Sequence, residues 1–229
     1  MTTKELEKIT KLRQNQEKRR YDDACGLAHA LDLLGERWAM LVLRELAYGP
    51  RRFSGLKRDL PGISANILTQ RLNELEARGL VRKTRLPPPA SVQVYEATEW
   101  GLEVVPVIAS LGRWAARSPL HDPTLQMSHV SLLMSLQTLI SPERAKGLDA
   151  RICFRLGDSA YVATVSNGRL DVDRRDCDTC DVTFTGSSSE VAAVIHGGAP
   201  FELIRVDGNL ELAKRFRTLF PLPAKVETS

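Results

Sequence analysis

Apolar residues recur along the first half of the chain at helical spacing. Leu27, Ala30, Leu31 and Leu34 form one stripe and Trp38, Leu41, Val42 and Leu46 another, with Gly35 between them, which predicts two helices. Tyr48-Gly49-Pro50 ends the second, Phe53 to Leu60 reads as a third, and Pro61-Gly62 turns the chain again. In the stretch PGISANILTQRLNELEARGLVRK, Ser64 suits an N-cap, Leu68, Leu72 and Leu75 share an inward stripe, and Gly79 suits the position after a helix end. A fourth helix is therefore expected over 64–78. After Gly79 the period shortens. LVRKTRL and VQVYEA flank PPPAS and predict a hairpin with a stiff tip, a wing over 80–97. Thr98-Glu99-Trp100-Gly101 then starts a long helix reaching about Arg117, with Leu102, Val105, Ile108 and Leu111 in register and Pro106 as a kink or a later true start.

SPLHDP, with two prolines and a change in local charge, reads as a linker. Beyond it, Met127 to Ile140 is an apolar-rich helix. ARICFRL, SAYVATV and GRLDVD then alternate as strands, turned at Gly157-Asp158 and Asn167-Gly168. DVTFTG adds a fourth strand leading into a helix, SSSEVAAVIHGG, and ELIRVDGN precedes a last helix, LELAKRFRTLF. The fold class is α+β, with an antiparallel meander in the second half. The expected division is a helical arm over 1–20, a helical domain with a basic hairpin over 21–119, and an α+β domain over 120–225.

A chain of 229 residues suits two such cores. Its 43% hydrophobic and 26% charged residues argue against extensive disorder. The longest nearly uncharged apolar run, VVPVIASLG, falls well short of the ~18 residues a membrane span needs. The N-terminal stretch is charged and lacks the apolar core of a secretory signal. A cytoplasmic location, no membrane and four cysteines as thiols are therefore expected. The net charge of +4 divides unevenly. Residues 1–120 hold 20 Lys and Arg against 14 Asp and Glu, and the remainder is slightly acidic, so the first half is the candidate for meeting a polyanion.

The outward face of helix 64–78 collects Asn66, Thr69, Gln70 and Asn73, with Arg71 beside them. Asn and Gln can bond adenine edges, Arg guanine, and Thr the thymine methyl. A helix of this length fits a major groove. Three helices, this helix and a basic hairpin follow the order of a winged helix-turn-helix domain, and the predicted partner is double-stranded DNA. Ser64 would lie at the helix start, and Arg51, Arg52, Lys83 and Arg85, with Lys57, Arg58 and Arg82, would meet phosphates or the minor groove. A merely solvated face is the competing reading.

From Cys25 to Trp114 the chain resembles the HxlR family of bacterial winged-helix regulators, within the MarR-like group. Cys25-Gly26, LDLLGERW, RRFSGLKRDLPGIS, ILTQRLNELEARGLV, VQVYEATEWG and LGRWA carry the resemblance in order. It implies a dimeric transcription regulator, with Leu27, Leu31, Ile108, Leu111 and Trp114 on the dimerising helices and a pseudo-palindromic operator. Some relatives sense oxidants through the early cysteine. Here Gly26 replaces the usual following proline, which leaves Cys25 either a redox thiol or an inert helix-start residue.

The stretch from Asp181 to Phe220, and more loosely back to Leu125, is similar to sterol-carrier-protein-2-like domains. The resemblance implies an apolar tunnel with Leu133, Leu136, Phe184, Val191, Val194, Ile195, Phe201, Ile204 and Phe216 as wall residues, and a hydrophobic small-molecule effector. An ordinary core is the alternative. The chain carries no GxSxG, HExxH, GxGxxG or P-loop pattern, and its four histidines are scattered. Neither catalysis, a cofactor nor a metal is expected. Cys177-Asp-Thr-Cys180 reads as surface thiols or a reversible disulfide, and as a zinc site only if His196 and Cys153 join it. The rival function is an apolar-ligand carrier or sequestration protein with only non-specific DNA binding.

Overall fold

The computed structural model describes residues 20–176 and 178–227, so the expected arm over 1–20 lies, but for Arg20, outside the described residues, as does Cys177. The chain divides into two compact units, Met1–Val105 and Pro106–Ser229.

The first unit runs α1 (Gly26–Leu34), α2 (Ala39–Glu45), α3 (Phe53–Asp59), α4 (Ala65–Ala77), β1 (Val81–Arg85), β2 (Gln93–Ala97) and α5 (Glu99–Glu103). Its core joins Val42, Leu43 and Leu46 around α2 to Leu56, Leu60 and Ile63, and to the α4 stripe Leu68, Leu72 and Leu75, all 2% exposed or less. Helices of 7 to 13 residues are too short to persist alone. Burying each of these aliphatic side chains, worth about 1.5–3 kcal/mol, is what holds them. β1 and β2 pair antiparallel from Val81↔Ala97 to Arg85↔Gln93. The strands bury Val81 and Val94 and leave Arg82, Lys83 and Arg85 exposed.

Two backbone contacts tie this hairpin to the helices. The Arg51 N–H donates to the Tyr95 carbonyl at 2.8 Å and the Tyr95 N–H returns a bond to the Arg51 carbonyl at 2.8 Å. On the other side the Thr98 N–H donates to the Leu80 carbonyl at 3.0 Å and its hydroxyl to the Gly79 carbonyl at 2.7 Å. Gly101 makes this seat possible, because a Cβ there would sit 2.1 Å from the Leu80 carbonyl oxygen.

The long helix expected from Thr98 is broken at Val104 into α5 and α6 (Val105–Ala115). Pro106 falls in the first turn of α6, where its missing N–H has no helical partner to lose. The compact units part between Val105 and Pro106, so α6, which buries none of its side chains, is counted with the second.

The second unit continues with α7 (His129–Leu139), β3 (Ala150–Leu156), β4 (Ser159–Ser166), β5 (Arg169–Asp173), β6 (Val182–Gly186), α8 (Ser188–Ile195), a 3-10 turn (Phe201–Leu203), β7 (Arg205–Gly208) and α9 (Leu210–Arg217). The sheet order is β5-β4-β3-β6-β7. Asn167 at φ 52 and Gly168 at φ 74 supply the paired positive dihedrals that a two-residue turn between β4 and β5 requires. β3, β4 and β5 form the expected meander. β6 instead pairs parallel to β3, with Phe154 opposite Phe184, so the sheet is antiparallel except at this junction. Ser187 and Glu190 close a capping box at the start of α8. The expectation of four thiols is corrected at Cys153, which is disulfide-bonded, while Cys25 and Cys180 are free. Cys153 lies fully buried in the central strand, where reductants have poor access.

Candidate nucleic-acid interface

α4 is set by its ends and its stripe. The Ser64 hydroxyl accepts from the Ile67 N–H at 3.2 Å, and Leu80 N–H returns to the Leu75 carbonyl at 2.9 Å across Gly79, whose φ is +74°. With Leu68, Leu72 and Leu75 buried, Ser64, Asn66, Thr69 and Gln70 are exposed together and Asn73 is half-buried at the edge. Thr69 donates back to the Ala65 carbonyl at 2.9 Å. Arg52 is exposed at the start of α3, and Lys83 and Arg85 on β1 line an open depression with Thr84, Ser91 and Gln93.

Two of the expected contact residues lie elsewhere. Arg51 is 5% exposed, with its guanidinium committed to Asp59. Burial acts upward on the Asp59 carboxyl. The Arg58 hydrogen bond at 2.9 Å and the charges of Arg51 and Arg58 outweigh it, holding Asp59 below the usual carboxylate range. Arg71, also 5% exposed, pairs with Glu74 at 2.5 Å and Glu36 at 3.3 Å. Both arginines are corrected from outward contacts to internal ties, because burying a guanidinium is costly unless a carboxylate pairs with it. Asp59, Glu36 and Glu74 were not anticipated. Glu74 alone had a local signal, standing three residues after Arg71 and four after Gln70.

Cys25 stands exposed at the N-cap of α1. The backbone N–H groups of Ala28 and Leu27 hold its thiol below the ordinary value. Cys180 shifts the other way, raised chiefly by burial. On the apolar side, Leu27 and Leu31 of α1 are 67% and 39% exposed. On α6, Leu111 and Trp114 are 45% and 70% exposed and Ile108 is half-buried.

In the second unit eight of the nine expected wall residues are buried. Leu133, Leu136, Phe184, Val191, Val194 and Phe216 are fully buried, Ile195 and Ile204 nearly so, and Phe201 is half-buried. Aromatic rings pack there: Phe154, Phe184, Phe216 and Phe220 lie 4.9–5.9 Å apart in successive pairs, and Phe201 stacks on Phe184 at 6.4 Å. A guest would have to part these rings. At the rim, His196 ends α8 with its Nε2 3.0 Å from the Ser135 hydroxyl, which itself donates to the Leu132 carbonyl. Burial holds the imidazole below its ordinary value, against a raising pull from the Phe220 backbone. Among the described residues, no cluster of three His, Cys, Asp or Glu side chains is arranged to hold a metal ion, and no helix is long and apolar enough to cross a membrane.

Helices α2 to α4, the hairpin and α5 define a winged helix-turn-helix. Residues 33–121 match the HxlR-like helix-turn-helix family, and residues 131–221 match the SCP-2 sterol transfer family. YkvN of Bacillus subtilis, described as an uncharacterized HTH-type transcriptional regulator, is 41% identical over 92 residues, covering 40% of this chain and 77% of the relative. YvaP from the same organism, described in the same way, is 34% identical over 86 residues, covering 38% and 80%. A solved structure of the reduced form of the transcriptional regulator YodB from B. subtilis has 32% identity, covers 44% of this chain and all of that chain, and has a TM-score of 0.39. The chain belongs to the HxlR-like helix-turn-helix family, a class of transcription regulators.

Proposed function

We propose that the protein is a sequence-specific regulator that binds double-stranded DNA as a homodimer, in the cytoplasm, with α4 in the major groove and the basic hairpin beside it. One observation carries the reading. α4 buries its leucine stripe and holds Arg71 in internal ion pairs, while Ser64, Asn66, Thr69 and Gln70 stand exposed as one polar face. Asn and Gln there, with Asn73 at the edge, offer donors and acceptors to base edges. Arg52, Lys83 and Arg85 supply the phosphate contacts that set orientation. The exposed apolar faces of α1, with Leu27 and Leu31, and of α6, with Ile108, Leu111 and Trp114, serve as dimer contacts. A two-fold dimer reads half-sites about one helical turn apart.

The second unit acts as the sensing half. An apolar molecule entering among Phe184, Phe201 and Phe216 must separate packed rings, so its binding free energy is linked to a change of conformation. Cys25, exposed and with a lowered thiol pKa, is a second input open to oxidants.

Fluorescence anisotropy of the full chain on duplex from upstream of its own gene, against a shuffled duplex at about physiological salt, tests this. A preference of about a thousandfold or more is expected for a specific binder. Equal weak binding to that duplex, its shuffled control and a pool of genomic fragments would overturn the reading.

A further inference from the structure

Glu74 lies inside the first unit, yet it touches the exposed face of α4. Its Oε2 pairs with Arg71 at 2.5 Å, and its Oε1 accepts from Gln70 Nε2 at 2.9 Å. Arg71 is in turn held by Glu36 at 3.3 Å, so the acceptor offered to Gln70 is anchored in a three-residue ionic cluster. Glu74 is 9% exposed, whereas Gln70 is an exposed member of the polar face. We infer that Glu74 is a positioning residue that fixes the Gln70 amide for adenine and against guanine at one position of the DNA site. This inference rests on the reading of α4 as the helix that meets base edges.

The chemistry is that of an amide with one hydrogen already used. A carboxylate accepts and cannot donate, so the atom facing Glu74 is the NH2 nitrogen, and repulsion turns the amide oxygen away. Outward remain the oxygen and the second N–H. That acceptor and donor pair matches the N6 amine and N7 of adenine. Guanine presents two acceptors, O6 and N7, and meeting both requires the NH2 group to turn both hydrogens outward. Glu74 holds one of them back. The ionic cluster supplies stiffness, since moving Oε1 to release the amide also strips Arg71 of its closest partner.

Selection of bound duplexes from a pool randomised over the half-site, followed by sequencing, reads this directly. The comparison set is the wild type, Gln70→Leu, and the double variant Arg71→Met with Glu74→Met, which removes both buried charges together and so leaves neither unpaired. The wild type should prefer adenine to guanine on the order of tenfold at one position. Gln70→Leu should level the bases at that position and so locate it. The double variant should admit guanine there while preferences elsewhere in the half-site stay unchanged. An unaltered adenine to guanine ratio in the double variant, or a wild-type preference for guanine at the Gln70 position, overturns the inference. If the double variant does not melt cooperatively, Glu74→Asp, which keeps the charge for Arg71 but shortens the reach to Gln70, is read by the same ratio. A wild-type pool with no enriched sequence removes the reading of α4 and the inference with it, an outcome distinct from enrichment with an unmoved ratio.

Discussion

Gln70 and Arg52 are both polar and exposed, but they stand on different parts of the helix-turn-helix and act on DNA through different physics. Gln70→Ala should flatten base preference at one position at a cost of about 1–3 kcal/mol on the best site. Arg52→Ala should weaken all duplexes alike and lower the salt dependence by about one unit of slope. Anisotropy titrations on a panel of single-base variants at several salt concentrations separate the two. Equal loss on every sequence for both would place the reading helix elsewhere. At Cys25 the same scale yields a rate. Its thiol lies below the ordinary value because the Ala28 and Leu27 N–H groups face it, whereas that of Cys180 is raised by burial. Near neutral pH Cys25 should alkylate several-fold faster with iodoacetamide, as mass spectrometry of the labelled peptides would show. The exposed face of α4 was legible in the sequence, because Leu68, Leu72 and Leu75 fix which residues point away from them. The burial of Arg51 and Arg71 was not. Asp59 is eight residues from Arg51, and α2 and α3 both lie between Glu36 and Arg71 in the chain, so only tertiary structure brings each arginine to its carboxylate.

Elements tell a similar story about where local signals stop. The Asn167-Gly168 turn and the capping of α4 and α8 follow from residue chemistry within a few positions, and the sequence shows them. The parallel pairing of β6 with β3 joins strands far apart in the chain and has no local mark. Seating α5 against Leu80 depends on Gly101, and Gly101→Ala would drive a methyl into the Leu80 carbonyl. A loss of about 1–3 kcal/mol from overpacking is expected, read as a lowered midpoint in urea with the slope unchanged. At the end of α8 the sign of a pH effect follows from burial. The unfolded chain takes up a proton at His196 before the folded one does, so this contribution to stability is intact above pH 6.5 and is lost as the pH falls below it. Thermal melts from pH 7.5 to 5 should show the second unit losing stability, and His196→Gln should flatten that slope. A slope unchanged in the variant would assign the acid sensitivity to other groups.

For the whole molecule, the pairing of a helix-turn-helix with a unit matching the SCP-2 sterol transfer family sets what can be coupled to what. In the second unit, occupation of the interior requires the rings of Phe184, Phe201 and Phe216 to move, so a bound apolar probe should alter both the melting of that unit and operator affinity. Binding of such a probe with operator affinity unchanged would separate the two halves. α6 raises a different question, that of dilution. It is an 11-residue helix with no buried side chain, and Val107 and Trp114 are 62% and 70% exposed. A helix so short has little reason to persist in water by itself. If a second copy covers it, folding and association become one equilibrium, and stability belongs to the protein at a stated concentration rather than to the chain alone. The melting temperature should then rise by about a degree or two per tenfold increase in concentration. Leu111→Glu should abolish that rise and lower the helical signal even of concentrated samples, which makes the amount of regulator in the cell itself a control on how much of it is folded.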